Sequence, residues 1–196
     1  MSVTALTLYF SPGSSSMAVH IALHEIGVPF DAKSLSFHKK EHRSPEFLAI
    51  NPAGKVPTLL VDGTPLTEVA ACLLYLAKHF AEAGLLPTDP LAEAQAVSWM
   101  SFIASTLHPA RRQDLEHVTE VWSLADRKLG ERDWVLGNYS IADIHLFRLY
   151  WRLVNASRPY PKGLRYLESL YERMMIRPAV QRTIKIESKL GYELPA

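Results

Sequence analysis

The chain has one cysteine, Cys72, in 196 residues, so no internal disulfide framework is available to it. It has no excess of either charge: 21 Lys and Arg stand against 20 Asp and Glu, a net charge of +1. That balance gives no argument for nucleic acid or an anionic membrane as a partner. No apolar run approaches the roughly 20 residues a bilayer-spanning helix needs. The first residues lack a basic segment followed by a long apolar core, so they do not read as a secretion signal. These absences predict a cytoplasmic chain with no membrane and no nucleic-acid partner. No internal repeat or low-complexity segment is visible.

What is present is an ordinary globular composition, 48% hydrophobic and 21% charged, in a length that suits one large or two small domains. Thr4 to Phe10 is a β-type run, broken by Ser11-Pro12-Gly13. Ser14-Ser15-Ser16 can cap a helix that Gly27 stops. Val28 to Phe37 is extended again, so a βαβ unit with parallel strands is expected. Ser44-Pro45-Glu46 opens a short helix.

The stretch Asn51-Pro-Ala-Gly-Lys-Val-Pro57 leads into a second β region. Val56 to Val61 forms one strand, Asp62-Gly63 is a hairpin turn, and Pro65 to Thr67 forms the next strand. Pro57 stands at a strand entrance, the usual place for a cis peptide. A helix is expected from Glu68 to Ala83, with Thr67 as N-cap and Glu68 in its first turn. The N–H groups unpaired there favour anionic ligand groups.

Residues 84–91 read as a linker, with a glycine and two prolines. Strand signals then end. Helices are expected over 92–107, 111–129, 140–154, 162–175 and 179–189. Ser140-Ile-Ala-Asp143 has capping-box spacing. The fold class is therefore α/β followed by all-α: residues 1–83 as βαβαββα, the linker 84–91, and a helical bundle over 92–196.

These segments resemble cytosolic glutathione transferases, most closely the bacterial beta class. The resemblance covers nearly the whole chain and rests on motifs in both halves. In the first half they are Leu8-Tyr-Phe-Ser-Pro-Gly13, His20-Ile-Ala-Leu, Asn51 to Pro57 and Leu66-Thr-Glu68. In the second they are Ser101 to His108 and Gly137-Asn-Tyr-Ser-Ile-Ala-Asp143.

The resemblance implies a thioredoxin-like domain, a helical domain, a glutathione site between them, and a homodimer. It implies that Val56 pairs its backbone with the cysteinyl part of glutathione, as an added strand does. It makes Pro57 the cis proline. Glu68 and the Val69 N–H would hold the γ-glutamyl end, and Lys39 or Lys40 the glycyl end. Ser105 and His108 match helical-domain positions that line the site. Beta-class relatives carry cysteine where Ser15 stands, so thiol–disulfide exchange through a protein cysteine is not expected here. Cys72 reads instead as a buried, inert thiol.

Activation by a hydroxyl remains. Ser11, Ser15 and Ser16 are candidates for a hydrogen bond to the glutathione sulfur, with Tyr9 behind them. His108 is a candidate base or site-lining group. The expected activity is transfer of glutathione to a small hydrophobic electrophile. A glutathione-dependent dehalogenase, isomerase or peroxidase is the variant on the same site. A glutathione-binding protein with little catalysis is the alternative class. His20/His24 and His38/His42 are each four apart, but neither pair has the further ligands of a metal site, so no metal is expected. Trp99, Phe102, Phe147 and Trp151 fall at helical spacings and read as core. The segment from His108 to Trp134 is shorter than in beta-class relatives, which implies a changed electrophile pocket.

Overall fold

The computed structural model describes residues 4–193. The chain divides into two compact units, one of residues up to Leu76 with the segment from Pro178 onward, the other of Ala77–Arg177.

The first unit holds four strands in the order β2-β1-β3-β4. They are β1 (Leu6–Phe10), β2 (Asp31–Ser34), β3 (Thr58–Val61) and β4 (Thr64–Thr67). β1 runs parallel to β2 and antiparallel to β3, and β3 and β4 form an antiparallel hairpin. The turn residues Asp62 and Gly63 have φ of 48° and 83°, the left-handed pair that suits a tight hairpin. Alternation decides the buried face of β1: Leu6, Leu8 and Phe10 are buried, while Thr7 and Tyr9 are only partly covered. The helix α1 (Ser16–Ile26) is buried from Ser16 through Leu23 and stops at Gly27, whose φ is 78°. A short α2 (Pro45–Ile50) is capped by the Ser44 hydroxyl, which accepts from the Phe47 N–H at 3.2 Å. The helix α3 (Val69–His79) begins one residue later than expected. Glu68 takes a left-handed φ of 67°, and its carbonyl accepts the Cys72 N–H at 3.0 Å. Glu68 is thus the capping residue rather than part of the first turn.

The helix α9 (Pro178–Leu190) packs on α1, so the last helix belongs with the first unit by contact. It buries Ala179, Val180, Thr183 and Glu187, which lie on one face at helical spacing.

The second unit is helical. It comprises α4 (Pro90–Phe102), a π-helical turn Ile103–Leu107, α5 (His108–Ala110), α6 (Leu115–Leu129), α7 (Ile141–Val154) and α8 (Arg165–Met175). Every residue of α7 from Ile141 to Trp151 is buried, and α4, α8 and the π turn contact it, so it is the unit's central element. Trp99, Phe147 and Trp151 are core, whereas Phe102 is half-buried.

Further departures from expectation in the second unit have local causes. The helix over 92–107 does not stay regular. Pro109 has no N–H for the Ser105 carbonyl, and its ring would strike that carbonyl in an α-helix; the wide π turn removes both conflicts. The next helix starts at Leu115 rather than 111, because the Asp114 carboxylate accepts the His117 N–H at 2.9 Å. The helix expected from 162 starts at Arg165, after Gly163 with φ of 75°.

The capping box is complete. The Asp143 carboxylate accepts the Ser140 N–H at 2.8 Å, the Ser140 hydroxyl at 2.9 Å and the Val135 N–H at 2.7 Å. Asp143→Ala would leave two buried N–H groups unpaired. We expect it to lower unfolding free energy by about 2–3 kcal/mol. Urea unfolding measures this; a loss below about 0.5 kcal/mol would show that the box contributes little.

Depressed histidines set a pH dependence. Burial, then His20 and Arg182, push His24 down to about 4. Burial, then Arg148 and His108, push His145 down to about 3. Both rings stay neutral in the folded chain while the unfolded chain takes up protons near the usual histidine value of 6.5. Their contribution is full above that value and is lost as pH falls through about 4 for His24 and about 3 for His145. Asp143 runs the other way: burial raises it to about 6 against its hydrogen bonds, so its contribution grows as pH falls through that value. His108, held at about 4, acts with the same sign, so with three histidines against one carboxylate, thermal midpoints should drop on acidification from pH 7 to 4. A midpoint that rises over that interval would contradict the assignment.

Candidate functional site

The sheet register gathers the expected residues of the first unit at one end of the sheet. Tyr9 pairs with Thr58, and Thr58 with Thr67. The chain leaving β1 into Ser11, the chain entering β3 from Val56-Pro57, and the chain leaving β4 into Glu68 therefore meet at that end. β2 runs parallel to β1, and the Leu35 N–H donates to the Phe10 carbonyl at 2.7 Å. Its exit through Ser36 to Lys40 lies at the same end.

The Val56–Pro57 peptide is cis, as expected. Val56 precedes the first paired residue of β3, so its backbone lies outside the sheet ladder. Its approach is braced by Asn51. The Asn51 amide donates to the Lys55 carbonyl and the Thr58 hydroxyl, both at 2.9 Å, and its side-chain oxygen accepts the Ala53 N–H at 3.1 Å. Gly54 must be glycine there. Its φ is 59°, and an added Cβ would sit 2.7 Å from the His42 carbonyl oxygen.

The serines divide by what their hydroxyls already do. Ser16 is buried; its Oγ donates to the Ser11 carbonyl at 3.2 Å, accepts the Ser11 N–H at 3.2 Å and lies 2.7 Å from Ser14 Oγ. Ser16 therefore stabilises the loop. Ser11 is also fully buried, and its Oγ finds no hydrogen-bond partner among the described residues. Ser15 is the one residue from Ser11 to His20 that is not buried. It stands immediately before α1 and makes no side-chain cap bond there.

This loop depends on a residue far away in the chain. The Gly13 N–H donates to Glu187 Oε2 at 2.6 Å, and His20 Nδ1 lies 2.8 Å from Glu187 Oε1. Both side chains are almost wholly inaccessible, at 1% and 0% exposure. His20 also stacks on His24 at 4.9 Å between ring centroids. The one sequence signal for Glu187 was its place on the buried stripe of α9.

Lys39 and Lys40 are exposed on a turn held by acids. Glu41 accepts the Ser36 N–H at 2.7 Å, and Glu193 accepts the Ser36 hydroxyl at 2.9 Å and the His38 N–H at 3.0 Å. Lys40 itself has a left-handed φ of 57°. Glu68 is exposed and Val69 opens α3 beside it, so a carboxylate and free N–H groups are presented together. Cys72 is buried, and burial above all raises its thiol to about 12, so it offers no thiolate.

Ser105 and His108 belong to the second unit. Ser105 is exposed within the π turn, and its Oγ lies 3.4 Å from Thr106 Oγ1. Burial, then Arg148, Arg111 and Arg112, push His108 down to about 4, so its ring is neutral at pH 7.

The glutathione S-transferase N-terminal domain family matches residues 4–78. The chain is 33% identical to glutathione S-transferase GstA of Escherichia coli O157:H7, over 93% of this chain and 98% of that protein. Among solved structures, a bacterial beta class glutathione S-transferase of Sphingomonas chungbukensis superposes with a TM-score of 0.82 at 31% identity, covering 92% of this chain and 98% of that one. A sphingomonad glutathione S-transferase complexed with glutathione gives 0.83 at 31% identity, covering 93% and 98%. Likeness of this extent, over a thioredoxin-like sheet and a helical unit alike, means that the chain belongs to the glutathione S-transferase family.

Proposed function

We propose that this transferase activates glutathione through the Ser15 hydroxyl and delivers the thiolate to a small electrophile. The observation that carries the reading is that Ser15 alone is only partly covered in an otherwise buried loop. Ser16 and Ser14 are committed to each other, and Ser11 lies behind them without access. A hydroxyl before the first turn of α1 sits in the positive field of that helix, which also favours an anionic sulfur.

The remaining contacts follow from the same sheet end. Val56 offers its backbone to the cysteinyl residue as an added strand would. The Glu68 carboxylate receives the γ-glutamyl ammonium, and the Val69 N–H its carboxylate. Lys39 or Lys40 meets the glycyl carboxylate. A His108 ring held near 4 is a weak base at neutral pH. The thiol proton therefore passes to solvent. The sulfur forms a bond to the electrophilic carbon as the leaving group departs with its electron pair. Glutathione is the co-substrate, and no metal is needed.

A cytoplasmic homodimer completes the reading. Leu91 at 69% exposure, Val97 at 42% and Leu124 at 45% leave apolar surface on α4 and α6 for a second copy. Light scattering should return twice the chain mass; a monomer at micromolar concentration would reject the dimer.

One hydrogen bond to a charged sulfur, worth about 1.5–3 kcal/mol, lowers the thiol by about one to two pKa units from roughly 8.5. The ultraviolet absorbance of bound glutathione thiolate against pH reads this directly. Ser15→Ala should return the transition toward the free value, with affinity for glutathione little changed, and Ser16→Ala should not. An unshifted transition in the wild type, with glutathione demonstrably bound, would reject hydroxyl activation.

A further inference from the structure

The second unit concentrates guanidinium groups around His108. His145, Arg148 and Arg152 recur on α7 at spacings of three and four, so they share one helix face. Arg111 and Arg112 follow α5, and Arg158 follows α7, with its Nη1 donating to the Arg111 carbonyl at 3.4 Å. Arg148 is buried, Arg111 and Arg152 are partly buried, and Arg112 and Arg158 are exposed.

These groups are near enough to act on one another. Arg148, Arg111 and Arg112 all depress His108. After burial, Arg112, Arg152 and Arg158 pull Arg111 below the usual arginine range, and Arg158 does the same to Arg152. Guanidinium cannot shed its proton at working pH, so the repulsion stays in the folded chain. His108 and His145 are neutral and neither add to it nor relieve it.

Two other arginines of the unit face acids. Arg165 faces Glu131 at 3.8 Å, and Arg173 faces Asp133 at 3.5 Å. Among the described residues no carboxylate forms an ion pair with Arg111, Arg112 or Arg158. Arg111 Nε is buried there without a hydrogen-bond partner. A buried donor on a charged group is costly to leave unmade. An anionic ligand would meet that donor and reduce the repulsion together.

We propose that this cluster binds the carboxylate group of a small organic ligand. The planar fork of guanidinium matches a carboxylate through two parallel hydrogen bonds. A polyanion is a poor match: the whole chain carries a net charge of +1, and Arg111, Arg148 and Arg152 are recessed rather than spread over an open face.

The test titrates the full chain calorimetrically, without glutathione, with two compounds of one shape, 4-chloro-3,5-dinitrobenzoate and its neutral carboxamide. A charge-assisted contact predicts a Kd for the benzoate lower by about tenfold or more. Inorganic phosphate should compete with the benzoate and leave the carboxamide unaffected. Arg111→Gln, and separately the exposed pair Arg112→Gln with Arg158→Gln, should bring the Kd ratio toward one. Equal Kd values in the wild type, or no binding of the benzoate, would overturn the carboxylate site; because glutathione takes no part, neither result bears on the transferase reading.

Discussion

A carboxylate out of reach of water ties the ends of the first unit together. Removing Glu187 from solvent costs several kcal/mol, and only close partners offset that. It has them in the Gly13 N–H and the His20 ring. The three groups come from the loop after β1, from α1 and from α9. Position of the Ser11–Ser16 loop is therefore fixed by the last helix of the chain as much as by the strand before it. A donor or acceptor lost from this set would leave a buried charge unmatched, which is why the loop has little freedom to move. Ser15 inherits that rigidity without being buried by it.

Much of this was legible from local pattern. The βαβ unit followed from two extended runs flanking a capped helix, the hairpin from Asp62-Gly63, and the capping box from Ser140 and Asp143. Each depends on residues a few places apart, where backbone geometry leaves few choices. Glu68 shows how far such reading goes. Its place at the start of a helix was right, but its left-handed backbone is imposed by the exit from β4, and no propensity for glutamate would reveal it. The role of Glu187 was not legible because 174 residues separate it from Gly13. The braces made by Asn51 were hidden for another reason: an amide that bonds its own loop looks the same in sequence as a solvated one.

The arginines of the second unit were invisible as a group for the first of these reasons. Arg111 and Arg112, Arg148 and Arg152, and Arg158 stand in three separate stretches, and net charge near zero masks any local surplus. Only folding shows that acids answer Arg165 and Arg173 while other guanidiniums crowd one histidine.

The π turn connects that charge to a single residue. A regular α-helix advances about 100° per residue, so one extra residue in a turn rotates everything after it by roughly that angle. Pro109 enforces the wide turn by denying a hydrogen bond to Ser105. His108, Arg111 and Arg112 follow the insertion, and the turn itself contacts α7, which carries Arg148 and Arg152. Had the helix run on with its period unbroken, the same side chains would have faced about a quarter-turn away. An irregularity that costs backbone hydrogen bonding thus determines which charges gather at His108.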